Sequence, residues 1–182
     1  MRPAAGDITI AFNKPIGTIT SMRDERGRPC VGDAIKQWRL TQRVFPVGRL
    51  DAQTSGLLLL TSDGELAGKL LHPSFEVERR YRVCVAARPS ASSLRRLDAQ
   101  DVTTRKDTTC FELVLRSGAN REIRRACARE GLRIVSLERI AYGPIALQQL
   151  PVGKHRVLSA RELRQLKGAV GDTPEKGPSR AG

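Results

Sequence analysis

The stretch Gly48-Arg49-Leu50-Asp51-Ala52-Gln53-Thr54-Ser55-Gly56-Leu57-Leu58-Leu59-Leu60-Thr61 decides how this chain reads. Four consecutive leucines are a short apolar run of strand length, with no alternation that would leave one face to solvent. Phe45-Pro46-Val47 reads as a second short buried strand, so the polar, glycine-bounded segment 48–56 is a loop between two strands. One carboxylate, Asp51, stands in that loop. An acid among apolar neighbours needs cationic or hydrogen-bonding partners to work ionised. Arg49 lies two residues away, and Thr54 and Ser55 offer hydroxyls. Taken alone, Asp51 fits a loop-stabilising Asx turn as well as a reacting acid.

Outward from the loop, strands and short helices interleave. Residues 7–12 alternate as a half-buried strand. The turn Asn13-Lys14-Pro15-Ile16-Gly17 is expected to lead it into a hairpin-like partner over 16–21. Val31, Ala34, Ile35 and Trp38 recur at helical spacing within 30–40. Beyond the leucines, Ser62-Asp63-Gly64-Glu65 reads as a Ser-x-x-Glu capping box for a helix that Pro73 ends. Strands are expected over 80–86, 111–115 and 134–140, with a short helix from Ser90 to Leu97. A helix over 121–130 is expected between an Asn120 cap and Gly131, and a last helix follows the box Ser159-x-x-Glu162. The pattern predicts an α+β domain on a mixed, mostly antiparallel sheet over 7–167, with 168–182 as a disordered basic tail.

Charge narrows the function. The chain has 182 residues, enough for one main domain, and carries 32 Lys and Arg, 25 of them Arg, against 19 Asp and Glu, a formal charge of +13. Such a surface favours a polyanion, nucleic acid ahead of a membrane. Cys30, Cys84, Cys110 and Cys127 form no Cys-x-x-Cys pair, and His72 and His155 are the only histidines, which excludes a zinc finger or ribbon. The cysteines are expected as reduced core thiols of a cytoplasmic protein. The longest aliphatic run, Leu57 to Leu60, is too short to span a bilayer.

Two further segments can carry chemistry. On the expected helix 121–130, Arg121, Arg125 and Arg129 share one face, Ile123, Ala126 and Cys127 the other, and Arg124 stands at the boundary. The arginine stripe suits phosphates, whereas a boundary arginine suits a buried carboxylate. Tyr81, between Arg80 and Arg82 in an expected strand, can stack on a splayed-out base, although strand tyrosines are often simply core.

Together these segments resemble the pseudouridine synthases, and within them the RsuA type that modifies ribosomal RNA. Asn13-Lys14-Pro15-x-Gly17-x-x-Thr20-Ser21 is similar to the family's opening motif, and Gly48 to Gly64 to its catalytic motif, nearly residue for residue. Arg80-Tyr81-x-Val83 matches the tyrosine motif, and Asn120-Arg121-x-Ile123-Arg124-Arg125 through Arg139 and Gly143-Pro144 the third. Glu122, Ala126 and Ala119 depart from the usual Gln, Met and basic residue.

The resemblance implies a bilobed mixed sheet with a cleft across its middle. It makes Asp51 the essential aspartate, Tyr81 the residue against the target uracil, and Arg124 the ion-pair partner of Asp51. Arg49 would displace the target nucleotide from its stack, while Lys14, Arg121, Arg125 and Arg129 would contact RNA. The implied reaction breaks the N1–C1′ bond of a uridine, turns the base and rejoins it through C5. Nothing is oxidised, so no cofactor and no metal is expected. The expected partner is ribosomal RNA, the large-subunit (23S) RNA first, bound by a monomer without an S4 domain. Small-subunit RNA or tRNA as target, or a non-catalytic ribosome-assembly factor, remain open at this level.

Overall fold

The computed structural model describes residues 6–117 and 121–171. Strand β3 (Ser55–Thr61) lies at its centre, with Leu57 to Leu60 completely buried. Alternate leucines serve opposite layers: Leu57 and Leu59 pack with Ala11, Leu66, Leu70 and Leu166, whereas Leu58 and Leu60 pack with Ile10, Phe12, Val31 and Val44. A strand covered on both faces has no polar side to show, which is why its sequence does not alternate.

Strand β1 (Thr9–Lys14) runs antiparallel to β3, from Thr9 opposite Thr61 to Lys14 opposite Gly56. β2 (Phe45–Pro46) pairs with the end of β3, and β9 (His155–Val157) flanks β1. Helix α1 (Val31–Gln37) covers one face, assisted by Trp38, whose ring stacks on His155 and meets Phe12 edge-on. Helices α2 (Gly64–Leu71) and α5 (Ala160–Gly168) cover the other.

The second lobe is built from β4 (Arg79–Val85), β5 (Gln100–Arg105), β6 (Thr108–Leu115), β7 (Ile134–Tyr142) and β8 (Ile145–Ala146), with α3 (Ala91–Arg96) and α4 (Glu122–Arg129). Ile123 and Cys127 of α4 seat it on Val83, Phe111, Leu113 and Leu137. Among the described residues the sheet order is β5-β6-β4-β7-β3-β1-β9. Among the described residues every pairing between these strands is antiparallel except β3 with β7, where Ser55 lies opposite Glu138 and Gly56 opposite Arg139. The two lobes join there. Gly56 has φ +100, and a Cβ on it would stand 2.3 Å from the carbonyl oxygen of Arg139, so only glycine fits. The fold is thus the expected α+β architecture with a mixed, mostly antiparallel sheet.

Local expectations fail in instructive ways. Residues 16–21 form no strand: β1 takes its partners from β3 and β9, which leaves this segment free to bind the Asp51 loop. Asp63, not Ser62, caps α2, accepting from the Leu66 N–H at 2.9 Å, because the Ser62 hydroxyl is engaged by the Ile8 N–H. Strand β5, the partner of the expected strand at 111–115, escapes the sequence because every residue of it is exposed and it carries no alternation. Cys84 and Cys110, opposite each other in the β4–β6 register, form a disulfide and are not reduced. Cys30 and Cys127 are free and buried, and burial pushes the Cys127 thiol up to about 11. Order continues past 167, since Val170 packs into the core beside Leu166; residues 172–182 and Asn120 lie outside the described residues. Among the described residues no helix is long and apolar enough to cross a membrane.

Two glycines give a matched test of the junction. Gly56→Ala is expected to lower stability by about 2 kcal/mol or more, through positive φ and collision with Arg139. Gly68→Ala, inside α2 where an added Cβ meets nothing, is expected to raise it by about 0.5–1 kcal/mol. Urea unfolding of both variants reads the difference.

Candidate active site

A cleft of about 450 Å3 opens where the lobes join, lined among others by Arg49, Asp51, Tyr81, Arg121, Arg124 and Arg139. The Asp51 loop forms its rim and is clamped from both sides. From the first lobe, the Thr20 hydroxyl accepts from the Leu50 N–H at 3.1 Å and donates to the Leu50 carbonyl at 2.8 Å. The Gly17 N–H donates to the Ala52 carbonyl at 2.7 Å. From the second lobe, Nη2 of Arg124 donates to the Gln53 carbonyl at 2.7 Å and lies 3.4 Å from the Thr54 hydroxyl. A loop with its backbone held at Leu50, Ala52 and Gln53 presents its acid in a fixed place.

Asp51 itself is not desolvated: 42% of its side chain is exposed. Its ion-pair partner is Arg121, with Nη1 3.4 Å from Oδ2, and not Arg124 as the resemblance implies. Arg121 has φ 51 and stands just before α4, so the helical wheel that placed it beside Arg125 and Arg129 does not govern its direction. Arg124 is turned to the loop backbone, with its Nε buried and without a partner. Burial and then the nearby charge of Arg121 lower its pKa, while Asp51 acts in the opposite sense. Arg125 and Arg129 are exposed on α4, outside the lining of the cleft, and Arg49 is exposed at its rim.

Tyr81 is half-buried and touches the cores of both lobes. It sits where the β4–β7 register shifts, between Arg80 and Tyr81, an irregularity of the kind that re-aims a side chain into a site. Lys14, expected to contact RNA, is completely buried instead. Its ammonium donates to the carbonyls of Thr18 at 2.7 Å and Pro15 at 3.0 Å, holding the turn that in turn holds the Asp51 loop. Burial lowers its pKa to about 8, opposed by Asp51 and assisted by the positive charge of Arg139.

Arg139 was named only as part of a motif and given no role. It is 2% exposed, donates from Nε to the Leu57 carbonyl at 2.6 Å and lies over the Tyr142 ring at 5.1 Å. The signal was in the sequence: Arg139 shares the inward parity of Leu137 on β7. Arg79, also in the lining, donates to the Tyr142 hydroxyl at 3.2 Å, and that hydroxyl donates to the Leu70 carbonyl at 3.0 Å.

This fold has known counterparts. A family model described as RNA pseudouridylate synthase matches residues 8–129. The chain is 38% identical to an uncharacterised RNA pseudouridine synthase of Mycobacterium tuberculosis, covering 90% of this chain and 70% of that one. It is 35% identical to the ribosomal large subunit pseudouridine synthase B of Bacillus subtilis, covering 85% and 69%. A solved pseudouridylate synthase superposes with a TM-score of 0.73 at 25% identity, over 88% of this chain and 74% of that one. The chain belongs to the RNA pseudouridine synthases, enzymes that isomerise uridine in RNA.

The buried lysine makes a pH signature. Its folded pKa lies below the unfolded value, so between about pH 8 and 10.5 the unfolded chain binds the extra proton and stability rises with pH. Relative to Lys14→Met, the wild type is expected to gain on the order of 1–3 kcal/mol across that window. Unfolding midpoints of both proteins from pH 7.5 to 10.5 check it, and parallel curves would contradict it.

Proposed function

We propose that this synthase modifies a uridine of ribosomal RNA, large-subunit RNA first, with Asp51 as the acting carboxylate. The observation that carries the reading is the convergence of Asp51, Tyr81, Arg121 and Arg124 on one cleft from three distant segments of the chain. Pseudouridine formation needs a carboxylate that stays ionised while it attacks a carbon or removes the C2′ proton. Arg121 at 3.4 Å supports that charge, and the clamped loop fixes its position.

The target base has to leave its stack, at a cost of a few kcal/mol that contacts to the RNA backbone offset. In this reading Arg49, exposed at the rim, takes the vacated position. Tyr81 supplies a ring against the uracil at the boundary between the lobes. The exposed Arg125 and Arg129 supply phosphate contacts beside the cleft. The large-subunit assignment is supported by the Bacillus subtilis relative named for that RNA.

Asp51→Asn is expected to abolish pseudouridine formation while changing RNA affinity no more than a few-fold; retained activity sinks the assignment. Chemical mapping of pseudouridine in ribosomal RNA from cells with and without the protein is expected to show one or a few sites lost from the large-subunit RNA. For the phosphate contacts, Arg125→Gln and Arg129→Gln are each expected to reduce the slope of log K against log salt by about 0.7–0.9. An unchanged slope places RNA elsewhere.

A further inference from the structure

We propose that Arg139 reads the target base, its guanidinium donating to the carbonyl at C4 of the bound uridine and, after isomerisation, to the carbonyl at C2 of pseudouridine. The inference rests on the reading that a uridine enters this cleft.

Three observations lead to it. Arg139 is 2% exposed, yet its Nη2 is buried without any hydrogen-bond partner although the residue lines the cleft. A buried guanidinium N–H without an acceptor is destabilising, and native proteins keep one chiefly where something else fills it. The group is also held ready, by the Nε bond to the Leu57 carbonyl at 2.6 Å and by the Tyr142 ring beneath it. Finally, the nearby Lys14 ammonium, whose own pKa feels the Arg139 charge, cannot accept a hydrogen bond. Lys14 therefore leaves the acceptor to be supplied by what enters the cleft, and in this proposal that is the base.

Depth in the cleft selects which acceptor. Arg49, Asp51 and Arg121 are exposed at the mouth, on the side from which the sugar and phosphates of an RNA would approach, whereas Arg139 lines the cleft at 2% exposure. The bond that breaks joins N1 to C1′, so with the ribose at Asp51 the ring extends inward, and the ring atom opposite N1 is C4. The isomerisation interchanges N1 and C5 about the ring axis through N3 and C6. That same turn carries C2 to the place of C4. One donor position thus meets a carbonyl oxygen both before and after the base turns. Cytidine would present an amino group to this donor, two N–H groups facing each other without an acceptor, and would be rejected.

The test uses an RNA hairpin carrying the mapped target uridine and a second hairpin with pyrimidin-2-one riboside there, which replaces the C4 carbonyl by C–H. Affinities are measured on Asp51→Asn, which does not turn the RNA over, and on Asp51→Asn with Arg139→Met. Loss of the carbonyl is expected to weaken binding on the order of 10- to 100-fold in the first protein and less than about threefold in the second. Equal ratios in the two proteins, or a ratio near one in the first, overturn the proposal. A second readout leaves Arg139 in place, so it holds if the Met variant fails to fold. In Asp51→Asn labelled with 15N arginine, a slowly exchanging guanidinium resonance is expected to shift with the uridine hairpin and not with the other. The absence of that difference also overturns it. Pseudouridine formation by the wild type on the uridine hairpin separates the levels: no product sinks the functional reading itself. Product together with an indifferent C4 carbonyl sinks only the role of Arg139.

Discussion

Everything in the molecule hangs on one short parallel contact, where Gly56 of β3 meets Arg139 of β7. The approach is so close that no side chain fits at residue 56, and it is secured across the seam by the Arg139 bond to the Leu57 carbonyl. The cleft lies beside this junction, where β3 and β7 pair over only two residue pairs. The residue that fixes the seam also forms the floor of the site. Structural and chemical demands on Arg139 are therefore inseparable, and a substitution there is felt by both.

Around that seam the polar chemistry is arranged as supports for one loop. Lys14 and the 17–20 segment hold its start and middle, and Arg124 holds its end. These supports join groups far apart in sequence, so each lobe contributes to the position of Asp51. Cations dominate: Lys14, Arg121, Arg124 and Arg139 surround a single carboxylate. Before RNA arrives they repel one another, and the lowered pKa values of Lys14 and Arg124 record that strain together with burial. A polyanion entering the cleft would relieve it.

Much of this was legible because the decisive signals are local. Leu57 to Leu60 announced a doubly covered strand, and the glycine-bounded loop before it is the segment that lines the cleft. What escaped depends on register or on exceptions to periodicity. Arg121 pairs with Asp51 because it adopts a left-handed backbone before α4, which no helical wheel represents. The Cys84–Cys110 bond requires knowing that β4 and β6 pair with those residues opposite. Strand β5 carries no pattern, since it buries neither face. Lys14 is the sharper lesson: it shares the parity of Ile10 and Phe12 on β1, so alternation pointed inward while its charge suggested the surface.

The order of elements along the chain has a consequence for how the protein assembles. The second lobe is one continuous segment, from β4 to β8, inserted into the first. The first lobe is closed only when β9, from near the C-terminal end, pairs with β1, with Ile10 opposite Val157. On a ribosome the inserted lobe has all its strands available while the surrounding one still waits for its last. Loop-closure entropy favours the same sequence in refolding. The seam needs only β3 and β7, both made before β9, so it is available ahead of the last strand, whereas a chain ending before β4 presents an Asp51 loop without Arg121, Arg124 and Arg139 around it.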